Sequence, residues 1–184
     1  MDLTHTVWLA SYAAMLSAAC WWDASERRIP NAVVFPGAAV ALAIASTPEG
    51  AGLAGSLGGL ATALALGIPL RALRYVGAGD AKLLAAAGAF VGFPQVIPLI
   101  AYTLLAGGAL AIGWALARGR LRAVLCNVAD GVRAGAVTAL SARRIPRGDD
   151  FHVEPDRLPY AIAIAIGALA QLAFAGGLPW STGP

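Results

Sequence analysis

The sequence predicts an all-α protein, a polytopic bundle of membrane helices with six spans as the simplest count. Of its 184 residues, 59% are hydrophobic and only 12% are charged, and the mean hydropathy is +0.71. A soluble domain of this size cannot hide so much apolar surface from water. The apolar residues also fall into runs, most of them close to the roughly 20 residues that a helix needs to cross a bilayer. Glycine and alanine are frequent within the runs, as in residues 50–61, which predicts close helix–helix packing.

The first apolar run, at about residues 5–22, is interpreted as a retained helix. Asp2 stands where a cleaved signal peptide carries basic residues, and the arginines follow the run instead of preceding it. Five more runs are predicted as spans. They cover residues 32–47, 52–70, 81–93, 95–117 and 159–178. The fourth span is short and Pro94 and Pro98 blur its end, so a tilted, broken or neighbour-shielded helix, or a five-span chain, stays open.

Lysine and arginine predict the orientation of the bundle. With six spans, every arginine falls in three segments on one side, and Lys82 lies at the same side. These segments are 23–31, 71–80 and 118–158. The opposite side carries Asp2 and Glu49 but no basic residue. The positive-inside rule therefore predicts both termini outside and the three basic segments in the cytoplasm.

We expect residues 1–184 to form a single membrane domain whose only long polar segment is 118–158. Apolar residues recur in this segment at roughly helical spacing with charged residues between them. That pattern predicts an amphipathic helix on the cytoplasmic surface. A polar helix that packs beneath the bundle is the alternative.

Several classes of site are not supported by the composition. The net charge is +3, but the arginines lie at the ends of apolar runs and form no long basic patch, so nucleic-acid binding is not expected. Cys20 and Cys126 form no C-x-x-C pair, which leaves neither a zinc ribbon nor a redox motif. His5 and His152 are isolated. We therefore expect no metal and no cofactor.

Two acids stand at the predicted cytoplasmic ends of spans. Asp23 lies in W-W-D-A-S-E-R-R-I-P-N, residues 21–31, and Asp80 lies in V-G-A-G-D-A-K-L-L, residues 76–84. The topology puts both carboxylates at one membrane depth, where acids are costly and point to function. Two neighbouring carboxylates cannot both ionise easily and so share a proton. One member can then draw a proton from water while the other polarises a carbonyl, as in aspartic proteases.

Each acid also has a purely structural interpretation. Asp23 can pair with Arg27 one helical turn later, and Asp80 can cap the following helix. Gly77 and Gly79 either form an ordinary turn or allow backbone angles and close approach that let a substrate strand lie beside Asp80.

The residues around the acids have similar dual interpretations. Pro30 stops a helix near residue 29, and Asn31 can cap the next one. Arg28 can anchor the helix at lipid headgroups, and Lys82 can reach the membrane surface or tune the acid pair.

These motifs together resemble one family. D-A-S-E-R-R-I-P-N resembles the D-x-x-x-R-x-I-P-N segment of type IV prepilin peptidases, and G-A-G-D-A-K resembles their G-x-G-D-x-K segment. The later R-L-P-Y-A-I-A-I-A-I-G, residues 157–167, is similar to the closing segment of the family. The resemblance implies a bundle of typically six membrane helices with Asp23 and Asp80 as the catalytic aspartates. Substrate-binding or site-supporting roles are then expected for Gly77, Gly79, Lys82, Arg28, Pro30 and Asn31.

The resemblance also implies substrates and a location. Family members cut prepilin or pseudopilin precursors, which carry a basic leader ahead of an apolar helix, at the cytoplasmic face of the bacterial inner membrane. Larger members have an N-terminal region with paired C-x-x-C motifs that is linked to N-methylation. This chain does not show that region, so we expect peptidase activity alone, similar to the short branch that serves tight-adherence (Flp-type) pili.

Other functions and partners stay open at this point. The expected partners are the precursors and the lipid bilayer, and a homo-oligomer is an open alternative. An intramembrane G-x-G-D protease of other substrates is the rival enzyme. A small transporter or assembly scaffold, with the acids as proton or cation sites, is the rival of a different class.

Overall fold

The described part of this computed structural model is an all-α bundle, as the sequence predicts. It comprises residues 3–48, 50, 52–72, 76–119, 121, 126 and 159–174. Six helices and no strand are found in those ranges. They are α1 (Leu3–Glu26), α2 (Asn31–Ala45), α3 (Leu53–Ala72), α4 (Ala78–Val91), α5 (Val96–Ala117) and α6 (Tyr160–Phe174). The amphipathic helix predicted within 118–158 lies almost entirely outside the described residues.

Two of the described helices, α3 and α5, are long and apolar enough to cross a membrane, and α2 and α6 are apolar but shorter. The helix limits lie within a few residues of the predicted runs, with two shifts that matter. The helix α1 continues past residue 22 to Glu26, and α4 begins at Ala78 instead of residue 81. Asp23 and Asp80 therefore both lie inside helices rather than in the connecting loops.

The short helix α4 is the centre of the bundle. It contacts all five of the other described helices, and every residue from Ala85 to Val91 is buried. A helix that is apolar on all sides is stable only when neighbours surround it. With 14 residues it is about 21 Å long, less than the roughly 30 Å of a bilayer core. Of the arrangements predicted for this helix, shielding by its neighbours is the one found.

Small residues bring α3 and α4 into backbone contact. A Cβ atom placed on Gly59 would collide with the carbonyl oxygen of Gly88 and come within 2.9 Å of the Gly92 backbone. The hydroxyl of Ser56 donates a hydrogen bond of 2.6 Å to the carbonyl oxygen of Ala89. The glycine-rich run that predicted close packing thus forms the α3 side of the tightest helix pair, as small-xxx-small interfaces do.

We expect Gly59→Ala to lower the free energy of unfolding by about 1–3 kcal/mol. The added methyl group meets backbone atoms of Gly88 and Gly92, which can move only if α3 and α4 separate. Thermal unfolding in detergent micelles measures the effect. Gly108→Ala is the matched control, because nothing lies within 4 Å of a Cβ at that position. Equal melting temperatures for Gly59→Ala and the wild type would contradict the contact.

An aromatic cluster sets the register of α1 against α4. The indole Nε1 of Trp8 donates to the carbonyl oxygen of Phe90 at 3.0 Å, and the Tyr12 ring stacks on Phe90 with centroids 4.8 Å apart. Since α1 runs from Trp8 towards Asp23 while α4 runs from Asp80 towards Phe90, the two helices are antiparallel. The cluster closes one end of the pair, and the two acids lie at the other end.

Candidate active site

The carboxylate of Asp23 is buried and held by a distant helix. It lies near the end of α1, is only 6% exposed, and its Oδ2 accepts a hydrogen bond of 2.9 Å from the backbone N–H of Ala161. Ala161 is in the first turn of α6, where N–H groups have no partner within their own helix. The start of α6 therefore determines where this carboxylate points.

The carboxylate of Asp80 is held by the start of its own helix. Gly77 is the N-cap of α4, and its backbone N–H donates to the Asp80 carboxylate. Asp80 is thus the third residue of the helix and reaches back to the N-cap, as the acidic member of a capping box does. The simple alternative, in which Asp80 is itself the N-cap, is not what the structure has, because the helix begins earlier than predicted.

Gly77 is needed for space, not for its backbone angles. Its φ of −66° and ψ of 154° are open to any residue. A Cβ atom on Gly77, however, would lie 2.6 Å from Oδ2 of Asp80, well inside van der Waals contact. Gly77 thus leaves room for the Asp80 carboxylate, and the approach of a substrate strand to this glycine stays a prediction.

The two acids affect each other electrostatically. Asp80 is half-buried, and the negative charge of Asp23 lies within electrostatic range of it. The N–H of Gly77 donates to the Asp80 carboxylate and stabilises its negative charge. The positive ends of two helix dipoles, those of α4 and α6, face the pair and favour negative charge there. This arrangement suits two carboxyl groups that share one proton.

The two motif segments pack directly against each other beside the acids. A Cβ atom on Gly79 would lie 3.0 Å from Cβ of Ile29, so only glycine allows this approach without a shift of Ile29. Next to this contact, Nζ of Lys82 donates to Oδ1 of Asn31 at 3.0 Å and lies 5.6 Å from the centre of the Phe35 ring. The structure therefore joins the two segments through both a steric contact and a hydrogen bond.

The remaining predicted site residues lie on the α1–α2 connection and at the start of α2. Pro30 occupies the N-cap of α2 with φ −70° and ψ 142°, whereas the sequence suggested Asn31 for that role. Asn31 is instead the first residue of the helix, and its amide oxygen accepts from Lys82. Arg28 is exposed on the connection.

Sequence reasoning assigned no role to Ala161, Tyr160 or Ile29. The N–H of Ala161 holds Asp23, Tyr160 lies within electrostatic range of Asp80, and Ile29 packs on Gly79. The signal for the first two was the start of the last helix directly after Pro159. This helix start can be read from residues 157–167. The sequence does not indicate, however, which side chain the N–H groups of the first turn would meet.

The hydrogen bond between Lys82 and Asn31 can be measured with a double-mutant cycle. We expect Lys82→Met and Asn31→Ala to be non-additive in the free energy of unfolding by about 0.5–1 kcal/mol. Thermal unfolding of both single variants and the double variant gives this value. Asn31→Ala combined with Arg118→Met is the control and should be additive, because Arg118 stacks on Trp114 at the end of α5. Additivity in both cycles would mean that the hydrogen bond contributes nothing.

Comparison with known proteins gives one match. A family model for the type IV leader peptidase family matches residues 10–112, which is more than half of the chain. The matched range contains Asp23, Asp80 and both segments that pack around them. No curated protein and no solved structure matches the chain significantly.

Proposed function

The chain belongs to the type IV leader peptidase family, and from this premise we propose that Asp23 and Asp80 activate water to cleave leader peptides. Membership of the family makes the protein a peptidase. The proposal adds the aspartic mechanism and the two residues that perform it. The observation that carries it is the convergence of two buried or half-buried carboxylates, each held by the start of a helix.

The proposed mechanism gives the two acids different roles. Asp80 carries the shared proton and donates it to the oxygen of the scissile carbonyl. Asp23 takes a proton from the water molecule whose oxygen attacks the carbonyl carbon. The resulting gem-diol collapses as the C–N bond breaks. The amine leaves with the proton from Asp23, and a gem-diol hydroxyl returns a proton to Asp80.

We propose a single multi-pass domain of six spans with both termini outside and the acids at the cytoplasmic face of the bacterial inner membrane. Arg71 lies in the last turn of α3, and α3 leads directly to the Asp80 segment. Arg118 caps the end of α5. Since Gly107 packs on Tyr160 and Gly167 packs on Thr103, α5 and α6 are antiparallel, and the end of α5 lies on the side of the acids. The position of Arg71 and Arg118 on this side supports a cytoplasmic face there.

The proposed substrates are prepilin-like or pseudopilin precursors. Their basic leader approaches from the cytoplasm, and their apolar helix enters the bilayer beside the bundle, so the scissile bond lies at the membrane surface. The acids stand at helix ends, Asp23 at the end of α1 and Asp80 at the start of α4. A position at the ends of helices favours a cut at the surface over a cut inside a span, and peptidase family membership favours hydrolysis over transport or scaffolding. Service of tight-adherence pili stays a prediction.

Co-expression with a candidate prepilin from the same genome tests the proposal. We expect the precursor to lose the length of its leader only when this protein is present, with a new N-terminus just ahead of the apolar helix. Intact-mass measurement of the product locates the cut. A cut within the apolar helix would favour the intramembrane protease instead. A precursor that stays full length beside folded, membrane-inserted protein would show that prepilins are the wrong substrate class.

A further inference from the structure

The hydrogen bond between Ala161 and Asp23 joins groups that are 138 residues apart in the chain. Both residues are buried: Ala161 has no exposed surface, and Asp23 is 6% exposed. A buried N–H group without an acceptor is costly, and so is a buried carboxylate without a donor. This hydrogen bond gives the N–H an acceptor and the carboxylate a donor, in the part of the bundle where the two acids lie.

The first turn of α6 directs its donors in different directions. Pro159 has no N–H group, and the N–H of Ile162 turns back to the carbonyl oxygen of Pro159 at 3.3 Å. The N–H of Ala161 points instead across the interface to Oδ2 of Asp23. Oδ1 of Asp23 accepts no hydrogen bond from the described residues. One oxygen, Oδ2, is therefore fixed by the main chain of α6.

The helix that carries this donor is itself held tightly. A Cβ atom on Gly167 would lie 2.6 Å from the backbone nitrogen of Thr103, and one on Gly107 would lie 2.8 Å from Cε2 of Tyr160. Two glycine contacts, one on each helix, thus fix α6 against α5 along its length. The Ala161 donor is thus carried by a closely packed helix, which favours one position for the carboxylate that it holds.

We infer that the backbone N–H of Ala161 is a positioning group for the peptidase reaction, which fixes Oδ2 of Asp23 and thereby turns Oδ1 towards the attacking water. The inference rests on the proposed function, because it gives Asp23 its role in the reaction. It assigns α6 to the site alongside α1 and α4, and it does so through a main-chain atom. Placement errors near 1 Å cost enzymes about a hundredfold in rate.

Hydrogen exchange tests the bond without any substrate. In Asp23→Ala we expect the Ala161 amide to exchange about tenfold faster or more, while Ile164 and Ala168 further along α6 keep their protection. Asp23→Asn retains an acceptor oxygen and should keep the Ala161 amide protected. Asp80→Ala should leave it unchanged. An unchanged rate in Asp23→Ala, or an equal acceleration along all of α6, would overturn the inference.

An ester bond tests the effect on catalysis. Replacement of Ala161 by lactic acid exchanges the N–H for an ester oxygen, and we expect kcat for precursor cleavage to fall about tenfold to a hundredfold with KM unchanged. The melting temperature should fall slightly, because the buried Asp23 carboxylate loses its donor. The same replacement at Ile162, which removes a neighbouring N–H that does not touch Asp23, is the control and should keep kcat near the wild-type value. A rise in KM with unchanged kcat would overturn the positioning role.

Different results would overturn the paired-acid mechanism and the positioning role of Ala161. If Asp23→Asn still processes the precursor, the paired-acid mechanism itself is wrong, whatever the exchange rates are. If Asp23→Asn is inactive but the ester at residue 161 keeps the full kcat, the acid pair stands and only the role of Ala161 is overturned.

Discussion

Asp23→Asn and Asp80→Asn are each expected to lower kcat for precursor cleavage by on the order of 10³-fold or more. The proposed reaction needs both a proton acceptor and a proton donor at the scissile carbonyl. An amide side chain can neither accept nor donate a proton there. The two losses should not add, because the acids act as one unit: the double variant should be about as inactive as either single variant. Single-turnover cleavage of a purified precursor in lipid nanodiscs measures all three rates.

Glu26→Gln is the matched control for these variants. Glu26 is the last residue of α1 and is exposed, so this change removes a carboxylate from the same helix end without touching the pair. Its kcat should stay within about twofold of the wild type. Wild-type cleavage by either aspartate variant, with the protein folded and inserted, would falsify the dyad mechanism.

Gly77→Ala is expected to reduce kcat about tenfold to a hundredfold and to lower the free energy of unfolding by no more than about 1 kcal/mol. The new methyl group would lie 2.6 Å from Oδ2 of Asp80. The Asp80 side chain can rotate away from it, which backbone atoms could not do. The carboxylate therefore moves while the fold stays. Alanine adopts the φ of −66° found at residue 77 without strain. Parallel measurement of kcat and melting temperature separates the two effects.

Gly108→Ala again serves as the control for adding a methyl group to glycine. Its Cβ meets nothing within 4 Å, so kcat should not change and α5 should gain about 0.5–1 kcal/mol of helix stability. If Gly77→Ala cleaves the precursor at the wild-type rate, the position of the Asp80 carboxylate next to the Gly77 N–H is not required for catalysis.

The helices were predictable because a lipid environment leaves few choices for an apolar run. Backbone groups in the bilayer must bond within their own segment, so each long run becomes a helix. The ends were less predictable. The polar residues that follow Trp22 still form helix as far as Glu26, and α4 begins at Ala78 because Asp80 caps it from within. Propensity and hydropathy alone do not reveal this reciprocal contact.

The candidate site was predictable in part for the same reason. The order of the spans alone predicts that Asp23 and Asp80 share one end of the bundle, and the structure has them there. The contacts of Gly79 with Ile29 and of Lys82 with Asn31 depend on how α2 and α4 approach each other. The role of Ala161 depends on a main-chain atom, and no side chain marks such a role in a sequence.

The hydrogen bond from α6 to Asp23 has a consequence for biosynthesis. Asp23 is made early, but its donor leaves the ribosome 138 residues later, roughly ten seconds or more at ordinary rates of translation. During that time the first helices can be inserted while the acid pair lacks the element that orients it. On the proposed mechanism, we expect a nascent chain to be inactive towards its neighbours in the translocon and to become able to hydrolyse peptides only once the final helix has entered the bundle.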